Sequence, residues 1–270
     1  MSFTFTLRQA AGPEVDLSPL VPEALAGKSR NEIEALELQA GKRRLPLHTL
    51  FEVSGGDRAR IAIRNGAGRL LRVGARMRRG EIRVEGDCGA FAGAGMRGGR
   101  LTIDGSAGDF AGSAMRGGVI EIRGSAGNFL GAALAGDRQG MRGGAIVVRG
   151  GAGDRAGDRM RRGLILIAGD AGAFCGSRML AGTILVKGKV GDSPGFALRR
   201  GSLLLASLPG AIPATFQDSG EQAFLFLALL ERHMQGEGPP LADFLPLPRR
   251  ARRYCGDLAV GGFGEILVAI

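Results

Sequence analysis

This sequence is governed by a period. A Met-Arg-x-Gly signature opens at Met77, Met96, Met115, Met141, Met160 and Met179, the last without its arginine, and Leu198 opens a seventh, partial copy. Five of the six spacings are 19 residues; the sixth is 26 and holds a seven-residue insert, Leu134 to Gly140, after which the next copy resumes in phase. A loop bulging from one corner of a stacked repeat produces that pattern.

Inside each copy two apolar positions recur with one residue between them. The first runs Ile82, Leu101, Ile120, Ile146, Ile165, Ile184, Leu203 and the second Val84, Ile103, Ile122, Val148, Ile167, Val186, Leu205. Alternation over so short a run is the mark of a half-buried strand. Glycines then return at three fixed places, Gly86, Gly89 and Gly93 in the first copy, and serve as corners where one turn of backbone lies on the next. Such a unit is too short and too glycine-rich to hold a helix. It lacks the Leu-x-x-Leu-x-Leu run of leucine-rich repeats, and its period is not a multiple of six. The expected fold is all-β: a parallel β-helix of seven or more coils over residues 61–205. Residues 1–60 would form an N-terminal strand and helix cap, and residues 206–270 a C-terminal helix and tail packed on the coils. At about 4.8 Å per coil, seven coils span roughly 29 Å.

The remaining ladders are expected to fill the interior. Met77 to Leu198 line one corner, and Phe91, Phe110, Phe129 and Phe174 line another, broken by Arg155, which is expected to reach solvent. Cys88, Ala107, Ala126, Ala152, Ala171 and Val190 occupy a narrow place where larger side chains would force the coils apart.

The flanks are less regular. Phe3, Phe5 and Leu7 alternate as a strand, and the proline-bearing stretch Leu17 to Leu25 reads as a loop. Ser29 and Glu32 form a capping box before a short helix carrying Ile33, Leu36 and Leu38. Gly27-Lys28-Ser29 lacks the upstream glycine that a phosphate-binding loop needs, since Pro22 stands in its place. Leu50 to Val53, Ile61, Ile63 and Leu70 to Val73 read as irregular first coils. After the repeats, Gln222 to Met234 read as an apolar helix too short to span a bilayer. Its docking face is the outward strand position of the late coils, Val147, Leu166, Leu185 and Leu204, unless another protein chain lies there. With no 18-residue apolar run and no signal-peptide pattern, the expected compartment is the cytoplasm.

Groups for chemistry are sparse. His48 and His233 stand in no motif, and Cys88, Cys175 and Cys255 are odd in number with no zinc spacing. Asp104, Asp109 and Asp154 could be cast as outer-face acids of a polysaccharide-cleaving enzyme, but nothing selects them; corner Asx side chains usually satisfy local backbone N–H groups. The unusual feature is an arginine ladder. Arg78, Arg97, Arg116, Arg142, Arg161 and Arg199 hold the second repeat position, with Leu180 the lapse, in a chain of net charge +10. Residues 77–205 alone carry 19 basic and 11 acidic side chains. The arginines either cover apolar corners as solvated surface or form a track for a polyanion or an acidic partner, with Arg79, Arg162 and Arg200 adding to it. A stand-alone polyanion-binding module would need no more than this.

The Met-Arg-x-Gly-x-Ile-x-Ile-x-Gly-x-x-Gly-x-x-x-Gly coil resembles the glycine-repeat domain at the C-terminal end of the glutamate synthase large subunit. Leu50-Phe51-Glu52-Val53 before the coils, and Arg253-Tyr254-Cys255-Gly256-Asp257-Leu258 with Gly264-Glu265-Ile266-Leu267 after them, narrow the likeness. With these flanks the chain resembles the C subunit of formylmethanofuran dehydrogenase from about residue 45 onward. The resemblance implies a right-handed β-helix that supports catalytic subunits and carries no catalytic residues, metal or cofactor of its own. One version of the complex is an archaeal dehydrogenase with tungsten or molybdenum and iron-sulfur clusters in other subunits. The other is a bacterial formyltransferase/hydrolase of one-carbon metabolism, which passes a formyl group from formyl-tetrahydromethanopterin to a methanofuran-type carrier and hydrolyses it to formate. Partners would be amidohydrolase-like and formyltransferase-like chains, with neither nucleic acid nor membrane. Arginine outnumbers lysine 32 to 4, which favours the bacterial version.

Overall fold

The computed structural model describes residues 1–9 and 12–270. The N-terminal part holds β1 (Ser2–Leu7), β2 (Val15–Asp16), α1 (Pro22–Leu25), α2 (Arg30–Glu34), β3 (Glu37–Ala40), β4 (Arg43–Pro46), α3 (Leu47–Leu50), β5 (Phe51–Ser54), β6 (Asp57–Ala67) and β7 (Leu70–Leu71). The repeats supply β8 (Glu81–Asp87), β9 (Arg100–Ile103), β10 (Val119–Ile122), β11 (Arg142–Val148), β12 (Arg162–Ile167), β13 (Thr183–Val186) and β14 (Ser202–Leu205). Then follow β15 (Gln217–Ala223), α4 (Leu225–Glu237), β16 (Arg250–Gly256) and β17 (Gly264–Ala269).

Most strands join one 13-stranded sheet in the order β15-β16-β17-β14-β13-β12-β11-β10-β9-β8-β6-β1-β5. Strands β8 to β14 pair in parallel, each repeat in register with the next: Ile82 faces Leu101, Leu101 faces Ile120, and Ile184 faces Leu203. Both apolar ladders are fully buried. They also outrun the repeats: Phe3 faces Ile61 and Ile61 faces Ile82 at one end, while Leu203 faces Ile266 at the other. The methionine ladder is buried at every rung. Parallel bridges join Cys88, Ala107, Ala126, Ala152, Ala171 and Val190 in turn, a second line of contact beside the sheet.

Corners rest on glycine where backbone meets backbone. At Gly118, φ is +89° and a Cβ would stand 2.6 Å from the carbonyl oxygen of Gly99. No other residue fits there without separating the coils.

Four local expectations need correction. The phenylalanine ladder does not line the interior. Phe91, Phe110, Phe129 and Phe174 sit at φ between +57° and +63°, which turns each ring outward and leaves it half-exposed. The interior is filled by the residue that follows each corner, Ala92, Ala111, Leu130, Ala156 and Cys175. Arg155 keeps the same conformation and lays its guanidinium over Phe174, 4.7 Å from the ring centroid, so it continues the column instead of breaking it. Secondly, Leu17 to Leu25 ends in the helical turn α1, with Pro22 at its start, where its missing N–H costs nothing. Thirdly, α2 has the capping box but stops at Glu34, because Leu38 is drawn into the β3–β4 hairpin. Fourthly, the C-terminal helix begins at Leu225. Residues 217–223 pair with β16 instead, which satisfies their backbone before the helix can start.

The apolar stripe of the late coils is covered. Val147, Leu166, Leu185 and Leu204 form a second core with Leu227, Met234, Leu241, Phe244 and Leu247. Helix α4 supplies only two of these lids, and the segment after it supplies the rest. Arg149 pins that segment by pairing with Glu121 at 3.1 Å and with Asp243, and Lys187 lies 4.9 Å from the Phe244 ring centroid.

Candidate functional site: an arginine face on the stack

The arginine ladder follows from the repeat. Below the first rung, each ladder residue donates its backbone N–H to the methionine carbonyl of the rung before: Arg97 to Met77 at 2.7 Å, Arg116 to Met96 at 2.7 Å, Arg142 to Met115 at 2.6 Å, Arg161 to Met141 at 2.8 Å. While methionine points in, the next side chain points out. Arg78, Arg97, Arg116, Arg161 and Arg199 are exposed and Arg142 is half-buried. Among the described residues none of the six makes a salt bridge, although Arg83, Arg123, Arg178 and Arg252 elsewhere each find a carboxylate within 3 Å. From Arg97 onward the ladder is a face of unneutralised charge.

Its lower end, toward the C-terminus, is concave. Arg142, Arg161, Arg162, Arg199 and Arg200 line an open cleft of about 930 Å³ together with Leu180 and Ala181. Gln139 from the seven-residue insert and Val260, Gly261 and Phe263 from the C-terminal tail also line it. Among the described residues that line it there is no carboxylate. Nε of Arg142 is buried without a hydrogen-bond partner. The sequence pointed to Arg142, Arg161 and Arg199 as ladder rungs and to Arg162 and Arg200 as their auxiliaries, but not to Gln139 or the C-terminal residues that line the cleft with them. Only the insert, as a break in the period, signalled that something projects there.

Other candidate groups are engaged structurally. Oδ1 of Asp109 accepts from the backbone N–H of Asn128 at 2.7 Å, Oδ1 of Asn128 from Asp154 at 2.8 Å, and Oδ1 of Asp154 from Ala173 at 2.8 Å. These corner side chains bond the next coil and not their own turn, a correction to the local bonding expected of them. Asp104 is held between Arg83 at 2.8 Å and Arg123 at 2.9 Å. Burial pushes the Cys88 and Cys175 thiols up to about 12, so neither is a thiolate at neutral pH. Nδ1 of His48 lies 3.1 Å from the Glu34 carbonyl oxygen, and His233 belongs to α4. Among the described residues no group of three or more His, Cys, Asp or Glu could hold a metal ion. Among the described residues no helix is long and apolar enough to cross a membrane.

No protein-family model matches the chain. The chain is 43% identical, with a TM-score of 0.90, to a chain in the crystal structure of the formyltransferase/hydrolase complex FhcABCD from Methylorubrum extorquens in complex with methylofuran, covering 99% of both chains. It is also 44% identical over 86 residues to the C subunit of the formyltransferase/hydrolase complex Fhc of Methylorubrum extorquens. The chain belongs to the family of formylmethanofuran dehydrogenase C subunits. A more distant member is the C subunit of the molybdenum-containing formylmethanofuran dehydrogenase 1 of Methanosarcina barkeri, 33% identical over 87 residues. These two sequence matches cover 32% and 30% of this chain and span about a third of the curated relatives' length, 32% and 29%. The family resemblance read from the repeat and its flanks is thereby established.

Proposed function

We propose that this chain is the C subunit of a formyltransferase/hydrolase complex, which passes a formyl group from formyl-tetrahydromethanopterin to a methanofuran-type carrier and hydrolyses it to formate. The observation that carries this is the end-to-end likeness to a chain of the methylofuran-bound FhcABCD complex. The stack is then a right-handed parallel β-helix over residues 61–205, between an N-terminal cap (1–60) and a C-terminal helix and tail (206–270). It supports cytoplasmic amidohydrolase-like and formyltransferase-like partners and performs no chemistry itself. The engagement of Asp104, Asp109 and Asp154 in structural bonds favours that division of labour. The arginine ladder, Arg78, Arg97, Arg116, Arg142, Arg161 and Arg199, guides the carrier's glutamate tail. Each exposed contact contributes about 0.2 to 1 kcal/mol, so the tail is led and not trapped.

A molybdenum or tungsten dehydrogenase is the second reading, favoured by the 33% identical relatives, and it yields to the first on identity. Purification of the native complex separates them. Constant stoichiometry with amidohydrolase-like and formyltransferase-like chains is expected. Companions carrying metal and iron-sulfur clusters would indicate the dehydrogenase, and a lone chain with turnover would overturn both.

A further inference from the structure

We infer that the arginine face has a defined seat, the cleft at its lower end, and that this seat holds an oligocarboxylate chain between two arginine doublets. The inference rests on the proposed role of the ladder and assigns it a place. The doublets are Arg161–Arg162 and Arg199–Arg200. Leu180 N donates to the Met160 carbonyl at 2.7 Å and Arg199 N to the Met179 carbonyl at 2.9 Å, so the doublets stand two rungs apart. At about 4.8 Å per rung the separation is about 10 Å. Between them lies the one rung where the repeat abandons arginine, and there Leu180 and Ala181 give the cleft an apolar lining. The lapse in the ladder is therefore part of the seat. A ligand that matches is an oligoglutamate: its carboxylates take the guanidinium forks at either end, and the glutamate methylenes cross the leucine.

Two further lining segments point to the same place. Both depart from the repeat: Gln139 belongs to the seven-residue insert, and Phe263, 81% exposed, follows the short 3-10 turn Leu258–Val260. Segments more than 100 residues apart in the chain line one concavity. The upper end of the ladder is unlike it. There Glu23 comes from α1 and accepts from the backbone N–H of Arg78 at 2.8 Å, bringing negative charge to the first rung. Positive potential thus rises toward the cleft, where no acid answers it among the described residues.

The test uses the full-length chain and a fluorescently labelled ten-residue glutamate oligomer, with affinity read at low salt. The double variant Arg162→Gln with Arg200→Gln is expected to weaken binding tenfold or more, and Arg97→Gln with Arg116→Gln less than threefold. All four side chains are exposed, and unchanged thermal melting controls for folding. If the Arg97 and Arg116 pair matters as much or more, the seat is wrong while guidance along the ladder stands. If neither pair matters, both fall. If the Arg162 and Arg200 pair leaves the oligomer bound but releases a companion protein from the purified complex, the cleft is a protein interface and the inference is overturned.

Discussion

Phe110 sits at φ +61°, a backbone region that bulky side chains rarely enter, and it is one of four phenylalanines that do so at the same repeat position. Such a conformation costs of order 1 to 3 kcal/mol. Here the neighbours offset it. The Phe110 ring stacks on Phe91 at 5.1 Å and 11° and on Phe129 at 4.7 Å and 3°, and aromatic pairs contribute about 0.5 to 1.5 kcal/mol each. Because the rings are half in water, Phe110→Ala should cost only about 1 to 2 kcal/mol in urea denaturation, whereas Leu130→Ala, 1% exposed and in the interior, should cost about 2 to 5 kcal/mol. Equal losses would mean that the column belongs to the core after all.

Strands carry the stack, and their buried positions tolerate least. Ile122→Asp in β10 places a carboxylate at a fully buried rung with apolar neighbours above and below. The expected loss is several kcal/mol, read as a collapse of the cooperative melting transition; a soluble variant with unchanged melting temperature would refute the burial of that ladder. This layer was legible beforehand because register in the stack is simple addition: residue i meets residue i+19, so a column of like residues in the text becomes a column in space. What stayed hidden depends on more than addition. The outward turn of Phe91 and its equivalents depends on the sign of φ, which a phenylalanine does not announce. The strand β15 depends on β16, about 30 residues later, and local apolar content pointed to helix instead. The insert and the C-terminal tail line one cleft only because the chain returns past the last coil after α4. The six ladder arginines were found from the period alone, but their division into a ladder and a cleft was not.

On the scale of the whole molecule, a long sheet must end safely. At one edge Arg30 reaches across β5 and donates to the Val53 carbonyl at 2.8 Å, occupying an acceptor that a foreign strand would use. At the other, β17 pairs with β14 and the antiparallel strands β16 and β15 follow it. Removal of residues 250–270 takes away β16 and β17 and bares β14, so the shortened chain is expected to self-associate by light scattering; a well-behaved monomer would show that the last coil needs no cover. The corner side chains add a polarity of their own. Backbone bonds between coils run in both directions, yet Asp87 accepts from Ser106, Ser106 from Ser125, Ser125 from Gly151 and Asp170 from Lys189, always an earlier side chain for a later N–H. A polypeptide leaving the ribosome N-terminus first thus finds each acceptor already presented when its donor emerges, and assembly can keep pace with synthesis one turn at a time.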